Sequence, residues 1–488
     1  MNLSKKNKII NAVISKIRQR PYLSSFFFGC LYFTVVINWM FTIRTSEIAE
    51  GVFVKIVAVS AAIIMISTFA LGFVIFSLLN RLLGIKISKR SSIYMIPFTW
   101  IVSEFIRSIL FSIISLGPSG KVGTFWAYGN VGYFLSLTPL TYLGRVGGVY
   151  LLSFIFVMLV VLIIRLYLYK TFFEFFFITF LLFITAFFFQ AIYSIPTGKI
   201  VNATAISYSS TSYPEIQSNN IIKSLPKNKT DILILPEYSG YRSSQYNSDI
   251  NNKIIEKLVE PKGIVIDSKK QNGGKFDRNS LTFTNSSGEV INQQDKWFTI
   301  PSGEYIPYIY QIILAYVGQE QLLLDYSNQK TIIPGDKPEY PVQHNGVVFG
   351  SLVCSGVTSP TQYRQLSEKG ATILTNSASL GTLGVSSLFH IQTRIMAKQY
   401  AVDNARPFIQ SAKDAPAYIF DHNGKSLGII TNSYISKDLY TNKKITPYTR
   451  FGDWVVYLGV VAIFTYFAIV IFINKPKEKK HEKRKKEK

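Results

Sequence analysis

Hydrophobic residues along this chain fall into two textures. Over 22–43, 55–80, 93–116, 148–168, 171–195 and 454–474 they form runs of about twenty residues, the length at which a helix crosses a bilayer with its backbone groups satisfied internally. The pattern predicts a bundle of about six membrane-spanning helices. Between 197 and 452 the apolar runs shorten to about five residues and alternate with polar segments. Segments 200–208, 231–235, 263–266, 347–353 and 371–374 read as buried strands, and 251–259, 361–369 and 389–404 carry helical periodicity. Asn423-Gly424, between 418–420 and 427–430, marks a hairpin, as does Ser286-Ser287-Gly288 between 281–284 and 290–292. Strands alternating with helices, with hairpins added, predict a layered α/β domain with a mixed sheet. The chain divides accordingly: a basic N-terminus (1–21), a membrane domain (22–196), a polar domain (197–452), a C-terminal span (453–474) and a basic tail (475–488).

Charge fixes the orientation this pattern leaves open. The formal net charge is +24, which invites a nucleic-acid reading, but much of the excess sits beside apolar spans. Lys5, Lys6, Lys8, Lys16, Arg18 and Arg20 precede the first span with no acid among them, and 475–488 holds nine basic residues against three glutamates. Retention of Lys and Arg in the cytoplasm explains both blocks, and no nucleic-acid partner is implied. Arg81, Lys86, Lys89 and Arg90 in one loop, and Arg165 and Lys170 in another, fall on the same predicted inner side. Five crossings from a cytoplasmic N-terminus then place 197–452 outside. The first span lacks a small-x-small cleavage site and reads as retained.

Two cysteines are present, Cys30 inside the first span and Cys354 in the polar domain, so a disulfide between them would join lipid depth to the outer domain. A lone thiol in an exposed compartment points to reactivity. Three segments at predicted strand ends could carry chemistry: Leu235-Pro236-Glu237, Asp295-Lys296-Trp297, and Ser351-Leu352-Val353-Cys354-Ser355-Gly356. Singly they read as a loop acid, a solvated lysine and a small buried hydrophobe. Jointly they supply a base for a thiol, a cation for an oxyanion, and a nucleophile, which is the equipment of acyl transfer through a thioester. His344, His390, His422 and His481 show no ligand spacing, so neither metal nor cofactor is expected.

The order Glu, Lys, Cys in an α/β domain resembles the nitrilase (carbon–nitrogen hydrolase) superfamily, and its attachment to a multi-span membrane domain resembles the bacterial apolipoprotein N-acyltransferase family. Gly303-Glu304-Tyr305-Ile306-Pro307 is the most specific piece of the match; Trp100, Glu104 and Arg107, then Asn376, Arg406-Pro407 and Gly424 continue it. The resemblance implies an α-β-β-α sandwich outside the plasma membrane, catalysis by Glu237, Lys296 and Cys354 with Glu304 supporting the lysine, and substrate contacts at Tyr238, Tyr305, Ser355, Gly356, Asn376 and Arg406. It implies a phospholipid acyl donor, a diacylated lipoprotein acceptor, membrane lipid around the spans, and a monomer. The chain departs from the family at Ser355 and Gly356, where an aromatic residue and a second glutamate are usual, at Ser377 and Ser379, at Tyr400 and Asp403, and in having six predicted spans against eight. A membrane-anchored amidase and a scaffold without activity are the rival readings.

Two further features remain open. Glu104 and Arg107, three apart on a membrane helix, can pair with each other or line a cavity, and the resemblance implies that they help support a lipid-facing cleft beneath the outer domain. Phe125, Trp126, Tyr128 and Phe134 read as an interfacial aromatic belt or as a loop against the active site, and the belt is the favoured reading.

Overall fold

A computed structural model describes residues 19–43, 52–85, 90–210, 214–241, 248–273, 276–381 and 386–474. Lys5, Lys6, Lys8, Lys16, Arg18, Lys86, Lys89 and the tail from 475 lie outside the described residues. Helices α1 (Pro21–Val36), α2 (Val52–Leu82), α3 (Ile96–Ile114), α4 (Gly144–Tyr169) and α5 (Phe172–Ile192) precede the first strand. Among the described residues, four stretches there and one near the C-terminus are long and apolar enough to cross a membrane, and the chain is an integral membrane protein.

The first predicted span ends early, at Val36, followed by a 3-10 turn, Asn38–Thr42. The reason is side-chain packing. Trp39 leaves the helix to lie against Tyr128 and Phe389 at 5.6 and 4.7 Å between ring centroids, and its indole N–H donates to Gln392 Oε1 at 3.1 Å. Gln392 in turn donates to the Val36 carbonyl, one of those a helix end leaves unpaired.

The polar domain is built on strands β1 (Ile200–Tyr208), β2 (Ile232–Glu237), β3 (Ile264–Asn272), β4 (Asp277–Asn285), β5 (Val290–Asp295), β6 (Ile332–Ile333), β7 (Val342–His344), β8 (Val347–Val353), β9 (Ile373–Ser379), β10 (Phe408–Lys413), β11 (Ala417–Phe420), β12 (Ser426–Ile430) and β13 (Tyr434–Tyr440). They form two sheets that meet at β1. One edge of β1 pairs in parallel with β2; the other pairs antiparallel with β13 and, over Ser207 and Tyr208, in parallel with β10. One sheet then runs β13-β1-β2-β3-β4-β5 and the other β12-β11-β10-β9-β8-β7. They face each other, with β2 over β9 and β10, and β4 over β8.

Period-two alternation sorts the side chains into layers. In β2 and β3, Ile232, Ile234, Ile264 and Ile266 point to the inter-sheet core. Leu233, Leu235 and Val265 point outward against Ile221 of α6 (Pro214–Lys223) and Ile254 of α7 (Ser248–Ile255). On the other flank, helices α8 (Tyr308–Tyr316) and α9 (Glu320–Lys330) follow β5, and α10 (Pro360–Glu368) and α11 (Ser387–Asn404) cover the second sheet. Tyr363 and Tyr400 meet Phe408 at 5.0 and 6.4 Å. Ser359 caps α10 by accepting from Gln362 N, with Pro360 at its first position. The result is an α-β-β-α sandwich. Helices α12 (Pro447–Phe451) and α13 (Trp454–Asn474) return the chain to the membrane part. α11 is held from both sides: beneath it Lys398 donates to Ser136 O, and Thr141 donates to Gln399 Oε1.

Candidate active site

The strand directions bring the C-terminal ends of β2, β5, β8 and β9 to one end of the sandwich. Glu237 closes β2, Lys296 follows β5, Cys354 follows β8, and Ser379 closes β9. This is where open α/β sheets gather functional groups.

Cys354 starts a 3-10 turn, Cys354–Thr358, with φ at +47°, a left-handed conformation that a residue with a Cβ adopts at a cost of about 1–2 kcal/mol. The sharp turn lifts the side chain from the strand toward Glu237, whose negative charge acts on the thiol. The sulfur also approaches the Ser379 carbonyl, at 3.6 Å. Glu237 is fully buried and doubly held: Asn279 Nδ2 donates to Oε1 at 2.7 Å and Ser379 N–H to Oε2 at 3.0 Å. Lys296 Nζ donates to both oxygens of Glu304 at 2.8 Å, and Ile300 N–H donates to Glu304 Oε2. That carboxylate is thereby pinned on two sides.

The electrostatics follow from burial and these neighbours. Burial pushes the Glu237 carboxyl above its ordinary range, and the Lys296 ammonium opposes this. Burial, and then the Glu237 charge, push the Cys354 thiol up against the pull of Lys296. Burial alone would lower Lys296, but Glu304, Cys354 and Glu237 outweigh it and hold the ammonium above its ordinary pKa. The site sets a tightly held thiol proton beside the buried Glu237 carboxyl group, with the Lys296 cation nearby. Such a set can move a proton from sulfur to carboxylate and stabilise an oxyanion.

Of the residues expected from sequence, Glu237, Lys296, Glu304 and Cys354 converge. Tyr238, next to Glu237, has φ at +54° and a ring flanked by the Lys270 and Lys413 ammonium groups at 6.0 and 5.9 Å. Ser355 donates to Phe298 O, and Asn376 Nδ2 donates to the Cys354 carbonyl at 3.4 Å, so both brace the nucleophile turn. Tyr305 is pinned elsewhere, its hydroxyl donating to Ser115 O beyond α3. Gly117 lies so close that a Cβ there would sit 2.6 Å from the Tyr305 ring. A Cβ on Gly356 would sit 2.5 Å from Leu352 Cβ, so this turn packs too closely for a larger residue without a shift.

Arg406 belongs to the opposite end of the parallel strands, next to the start of β9. Its buried guanidinium donates to the carbonyls of Ala371, Asn404, Ala405 and Lys444, which ties it to the main chain away from the cysteine. Arg406→Gln is expected to lower the thermal midpoint, consistent with losing about 2–3 kcal/mol of charge-assisted bonding, while leaving KM unchanged. Thermal unfolding and initial rates on the same preparation check this.

The belt reading is also corrected. Phe134 is exposed, but Phe125, Trp126 and Tyr128 are buried, with Phe125 4.7 Å and Trp126 5.3 Å from Phe298 between ring centroids. Sequence reasoning missed Asn279, Ser379 as a direct contact, and Glu339, which accepts from Trp297 N beside Lys296 at 3.1 Å. Asn279 did leave a signal, because it shares the inward parity of Leu281 and Phe283 in β4 and is polar where that stripe is apolar. Ser379 left none, since it acts through its backbone.

Residues 10–162 match the apolipoprotein N-acyltransferase N-terminal domain, and residues 217–428 match the carbon-nitrogen hydrolase domain. The chain is 25% identical over 201 residues to an apolipoprotein N-acyltransferase of Synechocystis sp., covering 40% of this chain and 37% of that protein. It is 22% identical over 181 residues to one of Vibrio vulnificus, covering 36% and 34%. The aligned stretch is thus about a third of each relative's length. Among solved structures, a carbon-nitrogen hydrolase from Helicobacter pylori is similar with 14% identity and a TM-score of 0.39, covering 57% of this chain and 96% of that one. An amidase from Nesterenkonia sp. is similar with 14% identity and a TM-score of 0.38, covering 51% and 93%.

Proposed function

We propose, from the premise that this chain is a divergent member of the apolipoprotein N-acyltransferase family within the carbon–nitrogen hydrolase superfamily, that it transfers a fatty acyl chain from a phospholipid to the α-amino group of an S-diacylglyceryl-cysteine lipoprotein. The observation that carries this is the convergence of a buried thiol, a buried carboxylate and a paired lysine at one end of a sandwich joined to membrane-spanning helices. Glu237 takes the Cys354 proton as the sulfur attacks the ester carbonyl. Lys296 and the N–H after Cys354 stabilise the oxyanion. The intermediate collapses, the glycerol oxygen leaves as lysophospholipid with the proton returned by Glu237, and the acyl chain stays on sulfur as a thioester. The acceptor amine attacks that carbonyl, Glu237 takes its proton, and the sulfur leaves as the amide forms, receiving the proton back from Glu237 to restore the thiol.

The proposed arrangement puts the catalytic part, 197–452, outside the plasma membrane between the spans of 22–196 and the helix of 453–474, so both lipid-anchored substrates reach it without leaving the bilayer. One chain supplies every group named, so a monomer suffices. The departure at Ser379 is compatible with activity, because Ser379 contributes backbone groups that any residue type except proline supplies. Expression in a strain that depends on lipoprotein N-acylation tests the proposal. A reporter lipopeptide should gain the mass of one acyl chain and growth should return. A diacylated reporter together with released free fatty acid would instead favour the hydrolase.

A further inference from the structure

The buried charges of α3 have a specific engagement. Arg107 Nη2 donates to the Tyr128 carbonyl at 3.1 Å and to Asn130 Oδ1, and its guanidinium lies over the rings of Phe33 and Phe69 at 4.9 and 5.3 Å. Glu104 Oε1 accepts from Val131 N–H at 2.9 Å. Both ions therefore hold one segment, 124–131, which leaves the membrane part and crosses to the nucleophile. There the Ala127 N–H donates to Thr358 O at 3.3 Å, and the Thr124 and Thr361 hydroxyls are 3.1 Å apart. The Thr358 hydroxyl lies 3.2 Å from the Phe125 carbonyl and 2.8 Å from that of Ser355, the residue after Cys354.

A charge in a membrane helix costs about 2.5–3.5 kcal/mol on insertion scales, so two such groups engaged on one loop call for a reason. We infer that Arg107, with Glu104, is a positioning residue for the nucleophile: by clamping the strap 124–131 it fixes the 354–358 turn, and with it the placement of the Cys354 sulfur and the following N–H relative to Glu237 and Lys296. The inference rests on the reading of Cys354 as the nucleophile. It also explains how a left-handed φ is maintained at that residue, since the turn is held from the membrane side as well as by Asn376.

The test compares Arg107→Gln, Thr358→Val and the double variant in the full chain. In Arg107→Gln, kcat for acyl-enzyme formation is expected to fall about 100-fold, the scale of a 1 Å misplacement, while the phospholipid KM stays within about twofold. Thr358→Val should cost about tenfold in kcat. The double variant should be no worse than Arg107→Gln, because both changes break one mechanical link. Arg107→Lys should recover part of the loss. A kcat within twofold of wild type for Arg107→Gln, or losses that multiply in the double variant, overturns the inference. If Arg107→Gln does not fold, Thr358→Val decides alone, and an unchanged kcat overturns it. Should wild-type protein form no acyl-enzyme, the proposed activity fails, yet the strap is still testable by iodoacetamide alkylation of Cys354 followed by peptide mass. Both variants should then alkylate at least about fivefold more slowly as the thiol loses its base, and equal rates overturn the inference.

Discussion

Cys354→Ala is expected to lower acyl transfer by about six orders of magnitude, the scale of removing a nucleophile that works as part of a unit. No other thiol can substitute: Cys30 lies in α1. The fold should survive, because alanine keeps the Cβ and leaves only the volume of one sulfur empty, a loss of about 1 kcal/mol. Glycine at the same position supplies an internal check. With φ at +47°, Cys354→Gly relieves a backbone conformation that alanine must still adopt, so it should unfold at a higher temperature than Cys354→Ala. Equal or reversed midpoints would argue against a strained nucleophile turn.

Glu237→Gln should be nearly as damaging to turnover, by about 10³–10⁴-fold, the upper range for a general base. The amide cannot take the thiol proton. It also offers one acceptor where the carboxylate accepts from both Asn279 and the Ser379 N–H, so the side chain loses part of its anchoring. The pH profile separates the chemical effect from the structural one. Wild-type kcat/KM requires Glu237 ionised. Burial raises its pKa above the ordinary 4.5, so activity should appear as pH rises through that raised value and be lost below it. Lys296 must stay protonated, and its pKa lies above the ordinary 10.5, so no falling limb from it is expected at or below that pH. Glu237→Gln should flatten the acidic limb while leaving residual activity. An acidic limb that persists unchanged in the variant would assign it to another group and remove Glu237 from the role of base.

The residues of this centre were legible in the sequence to unequal degrees, for physical reasons. Cys354 and Glu237 stand at the ends of apolar strands, where a polar or reactive residue interrupts a run, whereas Lys296 follows the mostly polar strand Val290–Asp295. Glu304 was legible only through its motif; nothing in local spacing says that its carboxylate turns back to Lys296. β13 escaped notice because Tyr434–Tyr440 is mostly half-buried or exposed and has no continuous apolar stripe. The aromatic segment 124–128 misled in the opposite sense. Its composition is that of a membrane interface, and only the fold shows that its rings are enclosed between the membrane helices and Phe298. Likewise, two charges three apart on a helix suggest an ion pair, while the structure has Arg107 bonded to the main chain at Tyr128 and Glu104 to that at Val131. Contacts made through backbone groups, such as those of Ser379, are invisible to residue type.

The most direct measurement is the mass of the Cys354 peptide after purified protein has been incubated with phospholipid vesicles and digested. One acyl chain should be added to that peptide, neutral hydroxylamine should remove it as a thioester requires, and Cys354→Ala should never acquire it. Wild-type protein that stays unmodified with phospholipid in excess, or that carries acyl only at a hydroxylamine-resistant position elsewhere, would contradict a thioester-forming site at Cys354.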